Sequence, residues 1–68
     1  MGLMKAFAKN LASTRRSAGL SQERLAQKAG VSTSYVSMLE REQRSPPLET
    51  VEKFAKALKV APQSLLTA

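Results

Sequence analysis

The chain has 68 residues, enough for one domain with a modest core. Eleven Lys and Arg stand against five Asp and Glu, a net charge of +6, and there is neither cysteine nor histidine. This composition removes disulfides, thiolate and imidazole metal ligands and the commonest general base, and it favours a polyanionic partner, with nucleic acid the leading candidate. No apolar run approaches a membrane span, and no long hydrophobic stretch follows the first residues. A single cytoplasmic domain over residues 1–68 is therefore expected, without a membrane partner or a bound metal or cofactor. Phe7, Tyr35 and Phe54 are the only aromatics, few for the stacking platforms of single-strand and RNA binders.

In chain order, the first helix is expected from about Leu3 to Ala18, with Met4, Phe7, Leu11 and Ala18 on one stripe. Lys5, Lys9 and Arg16 fall largely on other faces. Gly19 ends this helix, and Leu20 supplies the apolar contact that often accompanies such a stop. Ser21 caps a second helix, Gln22 to Ala29, whose inner face is Leu25, Ala26 and Ala29. Arg24 stands where a full capping box would place Glu or Gln. Glu23 still complements the positive helix end. Gln22, at the exposed start, is placed to reach a phosphate oxygen.

Gly30 suits a left-handed turn, and Ser32 offers an oxygen to restart the chain as a third helix, Thr33 to Arg41. Small Ala26, Gly30 four residues on, Val31 next, Val36 six residues after Gly30 and no inward charge together form the pattern of a DNA-reading helix-turn-helix. At about 100° per residue, Thr33, Ser37, Arg41, Ser34 and Met38 share one side of this helix, opposite Val36 and Leu39. The exposed set is small, so the backbone can approach base edges. Tyr35 lies at the margin, its hydroxyl open to a phosphate contact or its ring simply closing the core's edge.

Glu42 to Pro47 is a turn-rich loop centred on Arg44, and Pro46-Pro47 sets up a fourth helix. Leu48, Val51, Ala55 and Leu58 recur there at helical spacing beside Phe54. Glu49–Lys53 and Glu52–Lys56 form i,i+4 pairs on its outer face. Lys59 ends that helix. Ala61-Pro62 opens a short fifth helix, in which Leu65 and Leu66 either close the core or, with Pro62, form an apolar dimer surface.

From Ser21 to Leu66 the sequence resembles the Cro/repressor-type helix-turn-helix family of phage and bacterial regulators. GLSQERLAQKAGVSTSYVSMLE, SPPLETVEKFAKALKV and APQSLL carry the likeness. Small members such as restriction–modification controller proteins have this size. The resemblance implies an all-α, compact five-helix repressor-like domain whose third helix recognises DNA. It also implies a structural ion pair between Arg15 and Glu40. Its base-reading positions fall on Thr33, Ser34, Ser37 and Met38, and its phosphate positions on Gln22, Arg41 and the loop around Arg44. Two departures stand out. Glu42 replaces a common Gly after the recognition helix, so either Glu42 takes a left-handed turn or the helix runs on. Lys59 replaces a second common Gly.

The expected function is a transcription regulator binding double-stranded DNA as a homodimer on a two-half-site operator. An antitoxin-like interaction module that also binds DNA is the alternative. Bidentate readers of adenine and guanine are mostly missing from the third helix, so DNA shape should carry much of the specificity. No small-molecule effector is evident. With outward carboxylate pairs and one structural pair, no catalytic constellation remains, and the chain is not expected to be an enzyme.

Overall fold

A computed structural model describes residues 2–67; Met1 and Ala68, which the single-domain expectation also includes, lie outside the described residues. Five helices follow one another: α1 (Leu3–Ser17), α2 (Gln22–Ala29), α3 (Thr33–Glu40), α4 (Leu48–Leu58) and α5 (Pro62–Leu66). The described residues contain no strand, so the architecture is all-α as expected. None of these helices is long and apolar enough to cross a membrane.

The starts follow local chemistry. The Ser21 Oγ accepts from the Arg24 amide at 3.0 Å, and the Ser32 Oγ accepts from the Tyr35 amide at 3.0 Å. Each satisfies one amide that a helix start leaves without a partner. Pro62 occupies the first turn of α5, where its missing N–H costs nothing.

The ends share one device. Gly19, Gly30, Glu42 and Lys59 all have φ between 59° and 74°. After each, the next amide reaches back five residues: Leu20 to Arg15 O, Val31 to Ala26 O, Gln43 to Met38 O and Val60 to Ala55 O. These are Schellman closures, which satisfy carbonyls that the helix end would otherwise leave open. The Glu42 alternatives thus resolve in favour of the left-handed turn. The Gln43–Met38 bond, at 2.8 Å, holds it there. Neither Glu42 nor Lys59 has glycine's freedom at this φ, so both turns carry strain.

All five helices contribute to one core. Phe7 and Leu11 of α1, Leu25 and Ala26 of α2, Val36 and Leu39 of α3, Val51, Phe54 and Ala55 of α4, and Leu65 of α5 are buried together. The Phe7 and Phe54 rings are tilted at 54° with centroids 6.2 Å apart, a favourable aromatic arrangement. Asn10 ties the last helix to the first, its Nδ2 donating to Leu65 O at 3.1 Å and Thr67 O at 2.6 Å.

Several expectations need correction. Leu65 is fully buried and belongs to the core, because the single turn of α5 points it inward between α1 and α4. It is not available as a dimer contact, whereas Pro62 is exposed and Leu66 half-buried. Leu48 lies on the α4 stripe by periodicity but is 67% exposed, although Thr50 and Val51 in the same turn are buried. Ala18, placed on the inner stripe of the first helix, is exposed, because α1 ends at Ser17 and the chain turns away there. The Glu49–Lys53 and Glu52–Lys56 pairs do not close; Arg15–Glu40 is the one ion pair among the described residues. Exposed pairs gain too little to hold two long side chains in one geometry.

Candidate nucleic-acid interface

The α3 helix is divided sharply between inside and outside. Val36 and Leu39 are fully buried, while Thr33 and Ser34 are exposed and Ser37 and Met38 half-buried. These last four, with Gln22, Arg41 and Gln43, line one open depression of about 480 Å³. No carboxylate lines it. The four residues expected to read bases therefore share a surface with two of those expected to hold phosphates.

A buried clamp sets the orientation of this surface. Arg15 Nε donates to Glu40 Oε2 at 2.7 Å, and Arg15 Nη2 donates to Glu40 Oε1 at 3.1 Å. The remaining arm of the guanidinium, Nη1, donates to Leu20 O at 2.8 Å. Glu40 Oε1 accepts a further bond from Gln22 Nε2 at 2.9 Å. The side chains of Arg15 and Glu40 are only 11% and 6% exposed. The last residue of α3 is thus fixed to α1 and to the start of α2, and its negative charge is matched before any anion approaches.

The clamp changes the assignment of Gln22. Its side-chain amide is bonded to Glu40 and does not project freely towards a phosphate. What the start of α2 still offers an anion is the backbone N–H of its first turn, which has no partner within the helix.

Arg41 is exposed, and its Nε makes a long 3.4 Å contact with Ser37 O, which lays the side chain along α3. Arg44 is exposed in the loop between α3 and α4 and stands outside the depression. Tyr35 is half-buried against the edge of the core, also outside the depression, and its hydroxyl makes no hydrogen bond among the described residues.

Two features escaped the sequence. Gln43 enters the depression because the left-handed turn at Glu42 brings the chain back towards α3. The missing Gly after the third helix was the available signal. The other is a mainly apolar pocket of about 230 Å³ lined by Leu3, Met4, Phe7, Ser45, Pro46, Leu48, Val51 and Leu66. Leu3, Met4 and Leu48, the exposed large hydrophobic residues among those described, all converge there. Helical spacing alone assigns Met4 and Leu48 to a core stripe and cannot show that both lie where the stripe runs past the core. Among the described residues no cluster of carboxylates could hold a metal ion.

Comparison with known proteins supports this arrangement. The helix-turn-helix family model matches residues 11–65. The chain is 39% identical over 67 residues to an uncharacterized HTH-type transcriptional regulator, y4dJ, of Sinorhizobium fredii, covering 98% of this chain and 87% of the relative. It superposes on the hypothetical transcription factor NHTF from Neisseria with a TM-score of 0.92 at 40% identity, over 96% of this chain and 75% of that one. On the restriction–modification controller protein C.AhdI from Aeromonas hydrophila the TM-score is 0.88 at 40% identity, over 91% of this chain and 90% of the other.

Proposed function

We infer that this chain, which belongs to the helix-turn-helix family of transcription regulators, binds double-stranded DNA sequence-specifically with α3 in the major groove. The observation that carries this reading is the carboxylate-free depression over α3, held against α1 and α2 by a buried and neutralised Glu40. Thr33 and Met38 offer methyl groups to thymine, and Ser34 and Ser37 hydrogen-bond permissively. Arg41, Arg44, the Tyr35 hydroxyl and the first amides of α2 hold phosphates and set the register. The similarity to C.AhdI supports the role of a restriction–modification controller.

Recognition is by a symmetric homodimer that places two α3 helices in successive major grooves, roughly 34 Å apart. The apolar pocket at Leu3, Met4 and Leu48 replaces Leu65 as the centre of the dimer surface, with Leu66 and Pro46 beside it. Protruding leucines next to a pocket on one patch are what a self-complementary two-fold contact needs. No charged residue lines the pocket, so two chains of net charge +6 meet there with little local repulsion.

Selection of duplexes from a random pool, followed by binding titrations across salt concentration, tests the reading. Recovery of a two-half-site sequence is expected. Arg44→Ala should weaken binding to all sequences and reduce the salt slope by about 1. A wild-type chain that binds random and selected duplexes equally refutes sequence-specific recognition. Sedimentation across a concentration series tests the dimer: Leu48→Glu should yield a folded monomer, and an unchanged dimer refutes the surface.

A further inference from the structure

A second charged surface lies away from the α3 depression and shares no residue with it. Lys28 at the end of α2, Lys53 and Lys56 on α4, and Lys59 after it surround a cleft of about 440 Å³. Ala29 and Ala57 complete its lining. All four lysines are exposed, and none forms an ion pair among the described residues. No carboxylate lines the cleft. Lys53 and Lys56 lie three apart on one helix, a like-charge spacing that destabilises slightly when nothing offsets it. A concave surface lined by one sign of charge also concentrates opposite charge.

We propose that this cleft is a docking site for an acidic protein segment that sets one apolar side chain on the Ala29–Ala57 floor and its carboxylates against the four lysines. Charge complementarity fixes the sign of the partner. The lining favours a peptide over a second stretch of duplex. Lysine pairs with phosphate as readily as with carboxylate, so the choice between them rests on the apolar floor of Ala29 and Ala57. A duplex backbone has no apolar side chain to cover these alanines. Because the cleft and the α3 depression have no residue in common, the chain can hold DNA and an acidic partner together.

The test uses a fluorescent peptide of Asp and Glu with one central leucine, measured by anisotropy against the full chain. Its Asn/Gln counterpart and a version with glycine for leucine serve as comparisons. The quadruple variant Lys28→Gln, Lys53→Gln, Lys56→Gln, Lys59→Gln should weaken binding of the acidic peptide about tenfold or more, the sum of four modest charge contacts. Replacing the same four by Arg should retain it. A control with equal charge loss elsewhere, Lys5→Gln, Lys9→Gln, Arg16→Gln, Arg24→Gln, should bind the peptide nearly as wild type. The glycine version should bind more weakly than the leucine version, and saturating duplex should leave peptide binding in place. Equal losses in the two charge-reduced variants overturn the proposal in favour of general attraction to a basic chain. So does wild-type binding no tighter for the acidic than for the neutral peptide. A larger loss of duplex affinity in the cleft variant than in the control assigns the cleft to the phosphate backbone and likewise overturns it.

Discussion

Removing one member of the Arg15–Glu40 clamp tests most directly how the α3 surface is positioned. Glu40→Ala leaves a guanidinium that is 11% exposed with Leu20 O as its remaining protein acceptor. Breaking a buried pair from one side costs about 3–5 kcal/mol, most of it the penalty for the stranded charge. A chain of this size has roughly 3–10 kcal/mol of total stability. The variant should therefore melt lower by about 12 °C or more in a circular dichroism scan, with part of the population unfolded at the outset. Replacing both partners, Arg15→Met with Glu40→Leu, removes the charges together and should return stability to within about 1 kcal/mol of the wild type. That double variant should remain folded yet bind duplex more weakly, because nothing then fixes the end of α3 to α1. A loss below about 1 kcal/mol for Glu40→Ala would refute the reasoning, since it is the range of a solvated surface pair. A double variant as unstable as the single one would also refute it, because the cost would then lie in lost packing.

The remaining predictions concern one turn, one tether and one reader. Glu42→Gly exchanges a strained left-handed residue, at φ 62°, for one that tolerates it, and should stabilise by about 0.5–1 kcal/mol after allowing for glycine's entropy; Glu42→Ala keeps the strain and should give no such gain in a urea titration. Asn10→Ala removes both bonds from α1 to the end of α5 and should cost about 1–3 kcal/mol by the same titration. Met38→Ala should change the preferred base at one operator position in a selection experiment while leaving the salt slope unchanged.

What the sequence made legible was local. Gly19, Gly30 and the serine caps act within a few residues, so the turns and the α2–α3 junction follow from reading along the chain. The inner faces of α2 and α3 follow too, because their apolar residues repeat at helical spacing and are all buried. The Arg15–Glu40 pair spans 25 positions, and the residues alone gave no reason to join them; only the family resemblance did. The Asn10 tether spans 55 and 57 positions and left no local trace. Periodicity failed at helix starts for a geometrical reason. It reports which side of a helix is apolar but not whether another element covers that turn. Leu48 and Leu65 therefore exchanged roles, one exposed and the other buried. Along the sequence Gln22 has the look of a free donor because its acceptor sits 18 residues away, on the far end of α3.

Glu42 connects the strain in the fold to the composition of the α3 surface. A helix running on past Arg41 would carry Gln43 further round and away from the depression. The left-handed turn instead closes the helix through the Gln43–Met38 bond and leaves the Gln43 side chain lining the depression with Arg41. Gln and Arg are the side-chain types able to contact adenine or guanine with two hydrogen bonds, and α3 itself has only small or methyl-bearing residues on its outer face. In the proposed complex the strongest potential reader, Gln43, therefore comes from beyond the end of the helix, beside the phosphate-holding Arg41, and the central positions discriminate weakly. Such an arrangement tolerates several bases under Thr33, Ser34 and Ser37 and leaves groove geometry and half-site spacing to decide among operators. The strain at Glu42 then has a function: it positions Gln43, and Glu42→Gly should preserve that placement because glycine adopts the same φ more readily.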